Sequence, residues 1–251
     1  AYCDLLAQGA VTEGEPVNFC VPTGNFGNIL SAFYAKEMGL PIGRLLCASN
    51  SNNVLTDFIA TGKYDRNRPF YNTVSPSMDI LISSNLERLL YLLSGGDDKL
   101  VAGYMKELSD TGCYQVSEEM RKKIQSVFVG GFSSEAETEA TIGKMMDEHK
   151  YLIDTHTAVA FHVLEQYRKE TGDQTKTVVA STASPFKFCD AVLDALNVTD
   201  KATGTALLDQ LAEVSGMPAP QPLATLKDKQ VRFTSWTEKE QMRAVVTDFL
   251  K

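Results

Sequence analysis

Between Cys20 and Phe33 the sequence reads CVPTGNFGNILSAF. Two glycines, Gly24 and Gly27, and two asparagines, Asn25 and Asn28, stand with Thr23 and Phe26 between an apolar run and an amphipathic one. If the apolar run is a strand and the next segment a helix, the backbone N–H groups of the turn point into the crevice at the strand's carboxyl end and favour an anion there. Glycine lets the backbone approach a phosphate closely, and Thr23, Asn25 and Asn28 add side-chain donors. The turn is neither GxxxxGK[ST] nor GxGxxG, so it lacks the specific marks of a nucleoside triphosphate or dinucleotide loop. Two readings stay open at this point: a cradle for a small phosphate group, and a plain tight turn leading into a helix.

A second cluster, VVASTASPFKF (Val178 to Phe188), again runs from strand-like into helix-like sequence. The ends of parallel strands share one edge of a sheet. Ser181, Thr182 and Ser184 are therefore expected to face the same crevice, where a hydroxyl can hydrogen-bond a heterocycle nitrogen. Ser184 has a competing role, capping the helix that Pro185 starts.

The elements that must position these residues follow from periodicity. VNFCV (Val17 to Val21) reads as a buried strand, GNILSAFYAKEMG as a helix stopped by Gly39, and RLLCAS (Arg44 to Ser49) as a second strand, which together make a βαβ unit. A helix with Val54, Leu55, Phe58 and Ile59 on one face follows and stops at Gly62. A loop with a Ser-Pro turn then leads into an amphipathic helix ended by Gly95 and Gly96. The stretch from Asp97 to Lys150 reads as charged and helical, with a Ser cap ahead of acidic residues in GGFSSEAETEAT. DTHTAVAFHVLEQYRKETG reads as helix with Asp154 as its N-cap, KTVVAST as a short buried strand, and SPFKFCDAVLDAL as a helix restarted at Pro185. GMPAPQPLATL is a connector, and TEKEQMRAVVTDFL a final helix. No internal repeat and no low-complexity tract interrupts this order.

Composition narrows the function classes. A formal charge of −8 and the absence of a Lys/Arg-rich run argue against a general nucleic-acid binder, leaving room for a local anion site. No apolar stretch approaches the roughly 18 residues a membrane helix needs, and the N-terminus has no basic leader, so the expectation is a cytoplasmic protein without membrane contact. The five cysteines are odd in number, widely spaced and free of any CxxC pair, which favours reduced thiols. NVT at Asn197 matches a glycosylation pattern that a cytoplasmic protein does not use.

Five blocks in this order, PTGNFGN, ASNSNNVLTDFIATGKY, SPSMDILISSNLERLLY, DTHTAVA and STASPFKF, resemble consecutive blocks of the threonine synthase family and its threonine synthase-like members, from about Val17 to Phe188. The resemblance implies an α/β fold of the tryptophan synthase β-subunit type (fold type II, pyridoxal 5'-phosphate dependent): an open, parallel, twisted sheet with helices on both faces, incomplete at the N-terminus. It implies conversion of O-phospho-L-homoserine and water to L-threonine and phosphate. By position, Gly24, Asn25, Phe26, Gly27 and Asn28 would cradle the cofactor phosphate. Thr182 would lie beside the pyridine nitrogen, where a neutral hydroxyl in place of a carboxylate moderates the electron sink.

The middle blocks carry substrate-site candidates: Ser77, Asp79, Asn85 and Arg88 in SPSMDILISSNLER, together with Ser84, and Asp154 in DTHTAVA. Each has a plainer role beside it. Asp79 can cap the following helix, Arg88 can pair with an acidic neighbour on a solvated face, and Asp154 can cap its own helix. His156 is a lesser catalytic candidate, His162 less so, and His149 reads as surface.

In this family the Schiff-base lysine precedes the phosphate loop, and no such block occurs in these 251 residues. Lys187 in PFKF falls in the wrong block for that role, so the catalytic residues are unknown here. The chain is expected to be the C-terminal portion of such an enzyme, inactive alone and inclined to self-associate through the surface its N-terminal part would cover. Residues 1–200 are expected to form the cofactor-binding α/β domain and residues 201–251 a helical extension packed on the same core. Competing readings are a threonine synthase-like phospholyase, a catalytically dead phosphate-binding or scaffolding module and, third, a degenerate nucleotide-binding protein without a magnesium-binding carboxylate.

Overall fold

A computed structural model describes residues 1–251. In chain order its elements are α1 (Tyr2–Ala7), β1 (Val17–Pro22), α2 (Gly27–Glu37), β2 (Ile42–Ser49), α3 (Val54–Thr61), β3 (Lys63–Asp65), α4 (Leu86–Leu93), α5 (Asp98–Thr111) and β4 (Cys113–Gln115). Then come α6 (Glu118–Val127), β5 (Phe128–Phe132), α7 (Glu135–His149), α8 (Thr155–Thr171), β6 (Thr177–Val179), α9 (Cys189–Ala195), α10 (Ala206–Ser215), α11 (Gln221–Ala224) and α12 (Met242–Phe249).

The main sheet has the order β5-β2-β1-β6, and every pair in it is parallel. Alternation along the central strands divides the core between the two faces. Val21, Leu45 and Cys47 point to one side and pack with Ile29 and Phe33 of α2, Leu55 and Phe58 of α3, and Leu89 of α4. Cys20, Leu46 and Ala48 point to the other and pack with Val159, Val163 and Leu164 of α8. The period of two explains why these strands read as unbroken apolar runs: both faces are covered. A third cluster joins Ile142 of α7, Ala158 of α8, Cys189 and Val192 of α9, and Leu208 and Leu211 of α10.

Two parts depart from the sequence expectation. The segment read as uniformly helical contains β5, the fourth strand of the sheet, at FVGGF. Its glycines are there for close packing: a Cβ on Gly130 would lie 2.9 Å from Thr56 Cα, and one on Gly131 would lie 2.6 Å from Val163 Cγ1. Helices α3 and α8 press on the strand from opposite faces, and only glycine fits between them. The other departure is a small antiparallel ribbon of β3 and β4, in which Tyr64 stacks on Tyr114 with ring centroids 5.3 Å apart. Strands this short carry too few residues to show a period.

Several helix boundaries follow the local chemistry. Ser134 and Glu137 form a complete capping box at α7, and Asp154 caps α8 through the N–H groups of His156 and Thr157. Ser184 accepts from the N–H of Phe186, where a single 3-10 turn precedes α9. No helix is long and apolar enough to cross a membrane.

Candidate functional site

The loop from Thr23 to Phe26 leaves the carboxyl end of β1 and enters α2. The N–H of Thr23 bonds to Ala48 O at 2.8 Å, and the N–H of Leu30 bonds to Phe26 O at 3.0 Å. Between them, the backbone N–H groups of Gly24, Asn25, Phe26, Gly27, Asn28 and Ile29 meet no acceptor within the protein. Consecutive free N–H groups at a helix N-terminus form an anion cradle. Phe26 holds the loop in shape. Its backbone is left-handed (φ 61°), which costs roughly 1–2 kcal/mol for a residue with a Cβ, while its ring is buried 5.5 Å from that of Phe128. Burying a phenylalanine is worth about 1.5–3 kcal/mol, so the core offsets the strain and fixes the turn. Thr23 departs from expectation: its hydroxyl donates to Val21 O at 2.7 Å, away from the cradle.

The cradle opens into a polar cavity of about 280 Å³, lined by Pro22 to Asn28, Ser77, Met78, Asn85, His156 and Thr182. Two bonds hold its outer wall. Ser83 Oγ donates to Gly24 O at 2.8 Å and Asn85 Nδ2 to Asn25 O at 2.7 Å, so the carbonyls of the loop are tied back and its N–H groups face the cavity. Ser83 is held in turn by its own N–H donating to Tyr64 Oη at 2.8 Å. Burial pushes that phenol up to about 12. The run of N–H donors without protein acceptors fits a phosphate group. The only titratable side chain on the wall is His156.

Asp79 lies off the cavity and organises the loop behind it. Its Oδ1 accepts from Asn50 Nδ2 at 2.8 Å, Asn52 Nδ2 at 3.0 Å and Thr73 Oγ1 at 2.7 Å, while Oδ2 accepts from the N–H of Thr73 at 2.9 Å. The carboxylate therefore stitches the 73–79 loop to the end of β2 and caps no helix. Beside it, Glu135 accepts from the N–H of Val74 at 2.8 Å, and burial pushes its carboxyl up.

Asp154 is fully buried behind His156. Its Oδ1 accepts from His156 Nδ1 at 3.0 Å, and its Oδ2 from the hydroxyl of Thr157. Burial alone would raise the carboxyl, and the bonds from His156 and Thr157 outweigh it, so the group sits below its ordinary value. On the other side of the ring, Nε2 accepts the N–H of Ser77 at 3.2 Å. Phe188 packs on the imidazole with centroids 4.9 Å apart.

The structure thus gathers Gly24 to Asn28, Ser77, Asn85 and Thr182 around one cavity, with His156 as part of its wall. Asp79 and Asp154 support that cavity from behind. Arg88 stands apart on the exposed side of α4, 4.0 Å from Glu87, and Ser84 is exposed. Lys187 is exposed and lines a neighbouring cleft of about 700 Å³ with Thr73, Phe186, Leu208 and Leu223. His162 lies 3.5 Å from Glu137, and His149 is on the surface. Asn50, Asn52 and Ser83 were not singled out by sequence reasoning. The signal for the first two was an asparagine-rich turn directly after a strand.

Comparison with known proteins gives this arrangement its relatives. The family model described as threonine synthase, C-terminal, matches residues 157–246. Threonine synthase-like 1 of Macaca fascicularis is 43% identical over 220 residues, covering 87% of this chain and 29% of that protein. Threonine synthase of Saccharomyces cerevisiae is 39% identical over 199 residues, covering 74% of this chain and 39% of that protein. Among solved structures, threonine synthase of Brucella melitensis with pyridoxal phosphate bound superposes with a TM-score of 0.82 at 34% identity, over 99% of this chain and 48% of that one. The chain spans about half the solved relative and less of the two curated ones.

Proposed function

We propose that this chain, whose residues 157–246 match the C-terminal family model of threonine synthase, is the phosphate-binding portion of a pyridoxal 5'-phosphate-dependent lyase of fold type II. The whole protein would convert O-phospho-L-homoserine and water to L-threonine and phosphate. The observation that carries this reading is the run of N–H groups from Gly24 to Ile29 without protein acceptors, at the carboxyl end of a parallel strand and beside a cavity that Thr182 also lines. Gly24, Asn25, Phe26, Gly27 and Asn28 bind the cofactor phosphate. Thr182, which lines the same cavity, would offer its hydroxyl as a neutral partner to the ring nitrogen. Bound pyridoxal phosphate supplies the electron sink that elimination and replacement require. Ser77 and Asn85 orient what lies between these two ends.

Residues 1–200 act as the cofactor-binding unit and residues 201–251 as a helical extension. We place the protein in the cytoplasm, with phospho-homoserine as its small-molecule substrate and no nucleic-acid or membrane partner. The lysine that holds the cofactor covalently lies outside this chain, which alone binds the cofactor weakly and catalyses nothing. Titrating the chain with pyridoxal phosphate while following the amide signals of residues 24–28, then reducing with borohydride and mapping peptides, tests both halves of this reading. Shifts confined to the loop with no stoichiometrically labelled lysine are expected. Full labelling of one lysine, Lys187 above all, overturns it.

The higher identity to threonine synthase-like 1 favours a second reading, a phospholyase that releases phosphate without completing threonine. Product analysis of the full-length protein, threonine against keto acid, separates the two.

A further inference from the structure

We propose that Asp154, His156 and Thr157 form a positioning relay: one buried carboxylate whose two arms set the separation of the loops that wall the cofactor cavity. The first arm runs from Asp154 Oδ1 through the imidazole of His156 to the backbone N–H of Ser77, in steps of 3.0 and 3.2 Å. The second runs from Asp154 Oδ2 through the Thr157 hydroxyl to Ser181 Oγ, 3.3 Å further on. Ser77 lines the cavity, and so does Thr182, the neighbour of Ser181, from a different loop. The two arms therefore end on two different loops, one at a lining residue and one beside it, and start from one residue that is itself locked as the N-cap of α8.

The protonation pattern follows from the partners. A carboxylate accepts from Nδ1, so Nδ1 carries the hydrogen. A backbone N–H donates to Nε2, so Nε2 carries none. With both nitrogens engaged and the residue 2% exposed, His156 has no free site for a reacting proton. Its place in the wall is that of a spacer with fixed polarity, and this distinguishes it from a general base. Phe188, packed on the ring, keeps the imidazole plane aligned with both partners. The same carboxylate also takes the N–H of His156 at 2.9 Å, so a shift of α8 would move both walls together.

The inference rests on the cofactor reading for its consequence, and on geometry alone for its existence. Two substitutions at His156 separate the two ends of the first arm. His156→Asn keeps a donor where Nδ1 stood and removes the acceptor for Ser77. His156→Gln keeps an acceptor near the Nε2 position. Amide hydrogen exchange at Ser77 reads the relay directly: it should speed up in His156→Asn and stay slow in His156→Gln, with similar thermal midpoints for both. Imidazole ¹⁵N shifts of the unmutated chain should report the Nδ1–H tautomer. Inorganic phosphate titrated against the loop amides should bind about fivefold more weakly to His156→Asn, the equivalent of one net hydrogen bond, and near the original affinity to His156→Gln. An Nε2–H tautomer, or equal exchange at Ser77 in both variants, overturns the relay. Equal loss of phosphate affinity in both overturns its positioning role. Absence of phosphate binding by the unmutated chain would sink the cofactor reading, and the relay would then stand or fall on exchange and tautomer.

Discussion

Gly24 lies so close to Ser77 that a Cβ added to it would sit 2.9 Å from the Ser77 carbonyl oxygen and 3.3 Å from Met78 Cα. Both obstacles are backbone, so neither can swing aside. Gly24 is needed for this approach of two walls, and the anion cradle exists because they meet.

Gly24→Ala should therefore cost about 1–3 kcal/mol of stability as overpacking and widen the cavity, with weaker binding of phosphate. Gly27 is the contrast: its nearest neighbour would be Asn85 Nδ2 at 3.6 Å, an ordinary contact. Gly27→Ala should leave stability within about 0.5 kcal/mol. Denaturant unfolding of the pair checks this, and equal effects would contradict the assignment of Gly24 to the meeting of walls.

Asp79 accepts from Asn50, Asn52 and twice from Thr73. Asp79→Ala removes the acceptor of the Thr73 N–H and one acceptor each of the buried Asn50 and Asn52 amides, which keep bonds to Ser75 and to Tyr71 O, at a cost of about 1–3 kcal/mol. Because the 73–79 loop carries Ser77, phosphate affinity should fall with stability. A variant as stable as the original protein would show that water replaces the carboxylate.

How much of this was legible in the sequence depends on how local each cause is. The βαβ unit, the cap at Asp154 and the capping box at Ser134 were readable because their signals lie within a few residues. The glycine pair in β5 gave no strand signal, since the helices that require it, α3 and α8, come from distant parts of the chain. His156 was ambiguous for the same reason: its partners are a near neighbour, Asp154, and a backbone group 79 positions away, Ser77. Asp79 read as a cap because sequence shows only the helix that follows, and its actual donors Asn50 and Asn52 come from the end of β2.

The depressed carboxyl of Asp154 has a pH signature. Burial raises it, and the stronger bonds from His156 and Thr157 bring it below its ordinary value, while the unfolded chain titrates near 3.9. A lowered folded value means that the unfolded state takes up the proton first as pH drops. The contribution is thus complete above that unfolded value and lost as pH falls through the folded one. The stability gap between the original protein and Asp154→Asn should hold constant from about pH 7 to 5 and shrink below about pH 4. A gap that stays level to pH 3 would place the carboxyl elsewhere.

Cysteine reactivity should divide by burial. Cys20 and Cys47 are fully buried on neighbouring strands, and burial pushes the Cys47 thiol up to about 12 and raises that of Cys20 as well. Thiolate is the reactive form, so native labelling with iodoacetamide at pH 8 should modify exposed Cys3 first and half-buried Cys113 more slowly. Cys20 and Cys47 should react only after unfolding. Early modification of either would mean that the central strands open in the native state.

The C-terminal segment offers a surface for self-association other than the one expected where an N-terminal part would pack. No residue after Ser215 is buried, yet Val231, Phe233, Trp236, Val246, Phe249 and Leu250 are all exposed. Apolar side chains gathered on so short a segment favour contact with another surface. They contribute little to the fold itself, so removing residues 229–251 should change the unfolding free energy by less than about 0.5 kcal/mol. The same truncation should reduce self-association in sedimentation velocity. Trp236 is the only tryptophan of the chain and is 82% exposed, which makes it a reporter of that contact. Raising the protein concentration should shift its emission to the blue if the segment mediates assembly. A full-length chain that stays monomeric with constant emission would remove the proposal, whereas a truncated chain that still assembles would move the contact to the apolar groove beside α2, where Tyr2, Phe19, Ala32 and Val178 line a cavity of about 390 Å³.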